Sequence, residues 1–266
     1  IEASDLPSEI RPLTDATNQV MFRLQHLLEN QKRFVRDAAH QLRTPLAVLK
    51  VQVQSALRGD LPAMAALQEI QVTVDRASML ANQMLSLAKV EQVRQQANFQ
   101  AIDWDSVVRD VALDLSPLIV QKDLDFELTA SPCCVHGHEW MLRELVRNLL
   151  HNAIHHCRSK GELRIHLTRV DDSAQLIIRD SGPGIDDDLR LRLFQPFATG
   201  NTRSGTGLGL TIVREIIAAM AGSIQMNNCM SAGSIAGLEA VVIFPLCAPD
   251  DAPIHPLDVP AKSERK

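Results

Sequence analysis

The feature that most constrains the fold of this chain is an apolar periodicity in its first third. Within residues 34–58, and again within 63–93, apolar residues recur three and four positions apart, which is the seam of helices that pack lengthwise. Gly59 and Pro62 stand between the segments, where one helix stops and the next begins. The sequence therefore predicts an antiparallel helical hairpin. Because one hairpin cannot cover its own seam, we expect two copies to dimerise into a four-helix bundle.

His40 lies on the first of these helices but away from its seam. At about 100° per residue its side chain is turned about 200° from Ala38 and Leu42, so we expect it to face solvent together with Thr44. Pro45 removes a backbone donor and is expected to bend the helix after the histidine. An ordinary surface histidine is the simplest interpretation of His40 alone, but the whole string H-Q-L-R-T-P-L favours a chemical role.

The remainder of the chain divides into segments of different pattern. Pro12 limits any helix before it, which predicts a proline-punctuated lead into the histidine helix, with a simple linker as the alternative. After a polar stretch at 95–98, helices are predicted at 104–120, 139–156 and 210–220, and strands at 125–129, near Val135, and at 163–170, 175–179, 223–227 and 239–244. This mixture predicts an α/β sandwich with helices on one face of a mixed sheet. The predicted domains are a linker (1–29), the hairpin (30–95), the α/β domain (96–247) and a disordered tail (248–266).

Composition argues against several classes of protein. A net charge of −5 speaks against a nucleic-acid-binding surface, which needs clustered Lys and Arg. The five cysteines have no metal-type spacing and indicate a reducing, cytosolic location. The chain has no signal peptide and no run of about 18 apolar residues, so the fragment itself is predicted to be soluble. Its start at Ile1 without a methionine leads us to expect an upstream part.

Polar side chains follow one face of the predicted helix at 139–156. Glu144, Asn148, Asn152 and either His155 or His156 are spaced to form a second stripe on this helix, separate from the apolar one. Amide oxygens can ligate a hard cation, and amide NH₂ groups can meet phosphate oxygens. A solvated helix face is the simpler alternative for this stripe taken alone.

Two glycine-containing segments follow. Asp180 and the run S-G-P-G-I come directly after an apolar strand, where a carboxylate can accept a hydrogen bond from an exocyclic amine; a surface turn is the alternative. The run G-T-G-L-G-L at 205–210 opens a helix, and such a helix N-terminus favours anions. It does not follow a strand in a βαβ unit, which disfavours a Rossmann fold.

These segments, in this order, resemble the cytoplasmic part of a sensor histidine kinase of a two-component system. F-V-R-D-A-A-H-Q-L-R-T-P-L resembles the family's phosphoacceptor box, N-L-L-H-N-A-I its asparagine box and D-S-G-P-G-I its first glycine box. F-Q-P-F and G-T-G-L-G-L resemble its phenylalanine box and second glycine box. The resemblance covers residues 30–247, and residues 6–28 resemble the end of a HAMP linker.

The resemblance implies an ATP-dependent autokinase that uses Mg²⁺. His40 would be phosphorylated, with Gln41 and Thr44 as further catalytic positions, and the phosphoryl group would pass to an aspartate in the receiver domain of a response regulator. Asn152 would ligate Mg²⁺, and Asp180 would hold the adenine amine. The other residues implied in nucleotide binding are Asn148, His155, His156, Gly182, Gly184, Ile185, Arg203, Gly205, Thr206, Gly207, Leu208 and Gly209.

Three features of the sequence depart from the family's pattern. Gln41 stands where the family usually has a carboxylate that can accept a proton from the histidine ring, so slow autokinase activity is expected, while Thr44 matches the position linked to phosphatase action. His155 and His156 replace a cation and an aromatic residue, and we expect ATP affinity to increase below about pH 6.5, where an unperturbed imidazole becomes charged. The segment before the second glycine box carries only Arg203 as a cation.

Two alternatives to an autokinase stay open. A catalytically weak or inactive nucleotide-binding scaffold is favoured by Gln41 and His155, and an ATPase of the gyrase, Hsp90 and MutL type shares the pocket but gives no reason for the hairpin that carries His40. The family resemblance also implies a place on the cytoplasmic side of the bacterial inner membrane, through an upstream segment, and no nucleic-acid partner.

Overall fold

The computed structural model describes residues 11–60, 62–96, 99–198, 206–231 and 233–248. The chain forms two compact units, of which the first ends at Asn82 and the second begins at Gln83. The predicted disordered tail lies, apart from residue 248, outside the described residues. Within the part of the chain that is described, no helix combines the length and the apolar character that a membrane span requires.

The first unit is a helical hairpin, as the apolar periodicity predicts. Helix α1 spans Arg11–Arg58, and helix α2 begins at Ala63 and continues into the second unit as far as Gln96. Ala66 and Leu80 are buried in this unit. Thr73 Oγ1 lies 3.0 Å from Oε1 of Gln52, which joins the two helices.

From Arg11 onward, the proline-punctuated lead expected before the histidine helix is instead part of one continuous helix, α1, which contains both Pro12 and Pro45. Pro12 lies in the first turn, where a backbone N–H has no partner within the helix, so its ring costs no hydrogen bond. Pro45 removes a single donor within a helix of 48 residues, and the helix continues past it.

The second unit is an α/β sandwich. Its elements in chain order are β1 (Gln100–Asp103), α3 (Trp104–Asp114), α4 (Ser116–Gln121), β2 (Asp125–Ala130), β3 (Cys134–Gly137), α5 (Glu139–His156), β4 (Glu162–Val170), β5 (Ser173–Asp180), α6 (Asp187–Arg190), α7 (Gly209–Ala219), β6 (Ser223–Ser231) and β7 (Ser234–Pro245). The five-stranded sheet has the order β2-β4-β5-β7-β6, in which only β2 and β4 are parallel. Helices α3, α5 and α7 pack against one another and on this sheet. The predicted fold class is confirmed.

Three local predictions need correction. The single helix expected at 104–120 is two helices, α3 and α4, which meet at Leu115. Pro117 is the second residue of α4, and because it lacks an N–H it cannot continue the hydrogen bonding of the preceding helix. Strand β1, which pairs with β3 in a separate two-stranded sheet, and the short helix α6 were not predicted.

The core of the second unit lies between the sheet and helices α3, α5 and α7. Trp104 is fully buried, and its ring meets that of Phe244 edge-on at 5.2 Å between centroids. Val90 and Val93 of α2 belong to the same core, and Lys89 Nζ lies 4.1 Å from the Trp140 ring centroid. The last turns of α2 are therefore part of the second unit.

A disulfide joins Cys134 in β3 to Cys247, which follows β7. The Cα atoms are 5.4 Å apart, and the Cys247 N–H donates to the Cys134 carbonyl at 2.9 Å. The expectation of a reducing location, drawn from cysteine spacing, did not anticipate this pair, because the partners are 113 residues apart in sequence. The other three cysteines are free.

Candidate functional site

Helix α5 presents the predicted polar stripe beside a buried apolar face. Leu142, Leu145, Val146, Leu149 and Ala153 are buried against the core. This packing leaves Asn148 and Asn152 half-buried at the edge of the sheet layer. Asn148 Nδ2 donates to the backbone and side-chain oxygens of Glu144 at 2.8 and 3.0 Å, so its own amide oxygen is turned away from that contact. The amphipathic spacing of α5 thus positions both amides.

Asp180 ends β5 and is almost completely buried, with 5% of its surface exposed. Its Oδ1 accepts a hydrogen bond of 2.8 Å from the Gly182 N–H. Burial raises the pKa of Asp180 to about 6, although the backbone N–H groups of Gly182 and Leu238 favour the charged form. A carboxylate can accept more hydrogen bonds than these two backbone groups supply, so buried Asp180 is suited to accept one from a ligand amine.

Asn152 and Asp180 line one small cavity between α5 and the sheet. Its remaining walls are apolar and come from both layers: Leu149, Ala153, Ile178, Met226, Leu238 and Ala240. A flat heterocycle with an exocyclic amine would be matched by apolar faces and one acidic acceptor. No hydrogen bond joins the Asn152 side chain to another of the described residues. The Asn152 amide oxygen is therefore free for a ligand.

Glycines bring the backbone close to this cavity. A Cβ at Gly182 would lie 2.6 Å from Asp180 Oδ1 and 2.9 Å from the His156 carbonyl oxygen, so a side chain there would displace α5 from the β5 end. Gly184 has a φ of +73°, which favours glycine, and an added Cβ would meet Asn228 Oδ1 at 2.7 Å. The first glycine segment is thus required by close packing as well as by conformation.

The second glycine segment leads into α7. Gly207 has a φ of +71°, Leu208 is fully buried, and Gly209 is the first residue of the helix. Backbone N–H groups at such a helix start are free to bind an anion. The predicted site residues Arg203 and Gly205 lie outside the described residues.

Three histidines cluster near the end of α5. The rings of His151 and His155 are parallel with centroids 6.3 Å apart, and the His155 and His156 rings meet at 5.1 Å. Burial lowers the pKa of all three from the ordinary value, and the Lys122 ammonium lowers the pKa of His155 and His156 further. The pH at which His155 becomes charged is therefore lower than the sequence-based expectation of about 6.5.

In the first unit, His40 is exposed on α1, as its helical position predicts, and Gln41 and Thr44 are exposed beside it. Thr44 Oγ1 donates to the His40 carbonyl at 3.4 Å. The imidazole of His40, next to an amide and a hydroxyl, is therefore accessible from solvent.

Two families match the two units. Residues 30–93 match the "His Kinase A (phospho-acceptor) domain", and residues 137–246 match the "Histidine kinase-, DNA gyrase B-, and HSP90-like ATPase" family. The chain belongs to the sensor histidine kinases. The second family makes the α/β unit an ATP-binding domain, in agreement with the cavity between α5 and the sheet.

Relatives with similar sequences or structures are named as sensor proteins or histidine kinases. Sensor protein QseC of Salmonella typhi is 32% identical over 249 residues, with 91% of this chain and 54% of QseC aligned. Sensor protein kinase PmrB of Pseudomonas aeruginosa is 33% identical over 255 residues, with 94% and 53% aligned. The structure of Acinetobacter baumannii histidine kinase AdeS has a TM-score of 0.64 at 27% identity and covers 79% of this chain and 98% of AdeS. This chain spans about half the length of QseC and PmrB.

In this histidine kinase chain the structure brings together several of the residues predicted for the nucleotide site. Asn152 and Asp180 share a cavity, and Gly182 lies against both Asp180 and the end of α5. Gly209 lies beside Asn148, because a Cβ added there would be 3.0 Å from Asn148 Oδ1. Ile185 is buried and bonded through its backbone to β6.

Two residues of this histidine kinase that support the site, although they are far from it in sequence, were not predicted. The Asn228 side chain exchanges two 2.8 Å hydrogen bonds with the backbone of Ile185 and thereby fixes the first glycine segment to β6. Lys122 Nζ donates to the carbonyls of Ile154, His155 and Cys157 at 2.8, 2.7 and 2.9 Å and so caps α5. Asn228 had no local signal, whereas Lys122 follows a predicted helix and could have been considered as a cap.

Proposed function

We propose that this chain is the kinase part of a two-component sensor, which transfers the γ-phosphoryl group of ATP to His40 and then to an aspartate of a response regulator. The observation that carries the proposal is the meeting of Asn152 and Asp180 in one apolar-walled cavity, in a chain whose other unit displays an exposed histidine. In the reaction, an imidazole nitrogen of His40 forms a bond to the γ-phosphorus while the bond to the bridging oxygen of ADP breaks, and the ring loses a proton.

The residues present fit both ATP and Mg²⁺. The Asp180 carboxyl would accept a hydrogen bond from the adenine amine, and the N–H groups at the start of α7 would meet phosphate oxygens. The free amide oxygen of Asn152 is a suitable ligand for Mg²⁺, which prefers oxygen donors. When bound, Mg²⁺ would neutralise charge on the phosphates.

Gln41 is the residue that most limits the expected rate. It is exposed beside His40, and an amide can hydrogen-bond to the ring but cannot accept its proton. The same residue favours a second function, a nucleotide-binding scaffold without phosphotransfer. Thr44 stays a prediction for the phosphatase reaction, and a place on the cytoplasmic side of the membrane stays a prediction from the family.

The proposed dimer would place apolar residues of α1 against a second copy. Val35, Leu46 and Val53, which lie on the predicted seam, are 59, 60 and 44% exposed in the single chain. Exposed apolar side chains of this size along one helix are characteristic of an interface. The dimer therefore rests on apolar surface that one hairpin leaves uncovered.

Incubation with γ-labelled ATP and Mg²⁺ tests the proposal. We expect acid-labile, alkali-stable label on the wild type and on His136→Ala, a control at an exposed histidine of the second unit, and no label on His40→Ala or Asn152→Ala. Label that persists in His40→Ala would contradict the assigned acceptor. ATP binding without label on the wild type would instead support the scaffold.

The variant Gln41→Glu tests the role of the missing carboxylate. We expect its initial rate of autophosphorylation to rise by about tenfold or more, since a positioned general base contributes on the order of 100-fold or more. Gln54→Glu, an exposed position on the same helix, is the control for added charge. An unchanged rate in Gln41→Glu would show that proton removal does not limit the reaction.

A further inference from the structure

Gln83 links the last part of α2 to the second glycine segment. It is the first residue of the second unit and is half-buried. The Thr206 hydroxyl donates a hydrogen bond to Oε1 of Gln83. Thr206 Oγ1 in turn lies 3.4 Å from the Leu208 backbone N–H and can accept from it. A side chain of α2 thus holds Thr206, which lies shortly before the first residue of α7.

The same amide group reaches the polar stripe of α5. A Cβ placed on Gly209 would lie 3.0 Å from Asn148 Oδ1 and 3.9 Å from Gln83 Nε2. Gln83 and Asn148 therefore both lie close to the first residue of α7. This is the end of the helix at which unpaired N–H groups and the helix dipole favour an anion.

Gln83 does not line the cavity that contains Asn152 and Asp180, which separates its role from that of Asp180. None of the residues that line this cavity belongs to α2. Gln83 contacts Thr206, which precedes α7, whereas Asp180 accepts a hydrogen bond from Gly182, which follows β5. A change at Gln83 should consequently affect the phosphates of a nucleotide and leave its adenosine part unaffected.

We propose that Gln83 is a positioning residue for the phosphate end of the nucleotide site. Its amide oxygen fixes the Thr206 hydroxyl, and Thr206 and Gly207 then hold the start of α7 in the conformation that presents N–H groups to phosphate. The assignment rests on the proposed nucleotide-binding function. It adds to that function a contact through which the last turns of α2 influence the affinity for a triphosphate.

The physical basis is preorganisation. Gly207 accepts a hydrogen bond of 3.0 Å from the Phe197 N–H and Leu208 is buried, but the glycines at 207 and 209 have no side chain that restricts the backbone around them. A fixed hydroxyl at Thr206 restricts this segment before the ligand arrives, which lowers the entropy lost on binding. Without Gln83, binding of the nucleotide would have to restrict the Thr206 side chain as well.

The test is calorimetric titration of the whole chain with Mg²⁺–ATP and, separately, with adenosine. For Gln83→Ala we expect the Kd for ATP to rise about 3- to 10-fold, the effect of one net hydrogen bond, and the Kd for adenosine to stay unchanged. Gln92→Ala, at an exposed glutamine of the same helix, should leave both constants as in the wild type.

Variants of Thr206 show whether Gln83 acts through that residue. Thr206→Val, which removes the hydroxyl at constant size, should weaken ATP binding as much as Gln83→Ala does, and Thr206→Ser should restore most of it. In the double variant Gln83→Ala with Thr206→Val the two losses should not add, because both break one interaction. A general loss of structure would weaken ATP and adenosine binding alike.

Three results would overturn the assignment. These are an unchanged Kd for ATP in Gln83→Ala, an equal loss for ATP and adenosine, and tighter ATP binding, since a glutamine that competes with phosphate would block the site instead of preparing it. If the wild type bound neither ligand, the proposed nucleotide site itself would fail, and this outcome is distinct from the other three.

Discussion

The two units of this chain bury their apolar residues to very different degrees. In the second unit, side chains from α3, α5, α7 and the sheet form one continuous core. In the first unit Ala66 and Leu80 are the buried apolar residues among those described, while large apolar side chains along both helices are exposed. The second unit therefore covers its core with its own residues, whereas the first leaves apolar surface exposed, as the proposed dimer requires.

This difference matches the chemistry proposed for each unit. A nucleotide cavity needs fixed walls and a carboxyl shielded from water, and only a well-packed core supplies them. A phosphoacceptor has to be reached by both a kinase domain and a partner protein, so exposure of His40 is an advantage. The well-packed core and the accessible histidine thus lie in different units of one chain.

The largest expected effect concerns the disulfide, because all five cysteines lie in the second unit. For the oxidised protein, we expect Cys134→Ser to lower the free energy of unfolding of that unit by about 2–4 kcal/mol. Both tryptophans, Trp104 and Trp140, are also in the second unit, so fluorescence during urea denaturation reports on it selectively.

Cys229→Ser, which changes a free cysteine, is the control for the disulfide. In reductant, the wild type and Cys134→Ser should unfold at the same urea concentration. A difference that survives reduction would mean that the serine, and not the lost disulfide, destabilises the unit.

A smaller effect is expected from a charge on the exposed seam of the first unit. Leu46→Glu should weaken the dimer by about 2 kcal/mol, or about 30-fold in Kd, since a carboxylate would lose water in the interface. Sedimentation equilibrium measures this change, with Gln54→Glu as the control for charge away from the seam. Unchanged fluorescence unfolding of the second unit would support independent units, whereas equal dimerisation of both variants would place the interface elsewhere.

The smallest effect concerns pH. Asp180 has a raised pKa of about 6, so in the nucleotide-free protein its carboxylate takes up a proton as the pH falls through that value. The neutral carboxyl group is a weaker hydrogen-bond acceptor for an amine than the carboxylate. We expect adenosine affinity to be highest above pH 7 and to fall by up to about tenfold by pH 5. Adenosine is the chosen ligand because its binding does not involve the titration of phosphates.

Asp180→Asn is the matched variant for this pH dependence. It should bind adenosine weakly at every pH. The amide side chain is uncharged, and its NH₂ group, which can only donate, replaces one of the two acceptor oxygens of the carboxylate. If the wild-type affinity were equally flat from pH 5 to 8, Asp180 would not be the group that recognises the amine.

Local patterns predicted a large part of the fold. The bounds of α5 agree with the prediction because its apolar stripe, its first turn and its last histidines all lie in one continuous segment. The helix at 104–120 was mispredicted although Pro117 was visible, because the apolar stripe continues on both sides of Leu115. Strand β1 was missed because four residues are too few for a periodic signal, and only pairing with β3 makes them a strand.

The residues of the candidate site were likewise predicted only in part. Asp180, Asn152 and the glycines belong to short motifs, and each could be proposed from neighbouring residues alone. Asn228 binds Ile185 across 43 residues, and Gln83 binds Thr206 across 123. Neither has a signal in its own segment, so these supporting residues could not be predicted.

By itself, the sequence determined the helical hairpin, the exposed position of His40 and the polar residues that a nucleotide would meet, because periodicity and glycine conformation act over a few residues. Only the tertiary structure decided which side chains hold that site, how deeply Asp180 is buried and which cysteines are joined. Those properties depend on distances between segments far apart in the chain, and the packing of the core sets these distances.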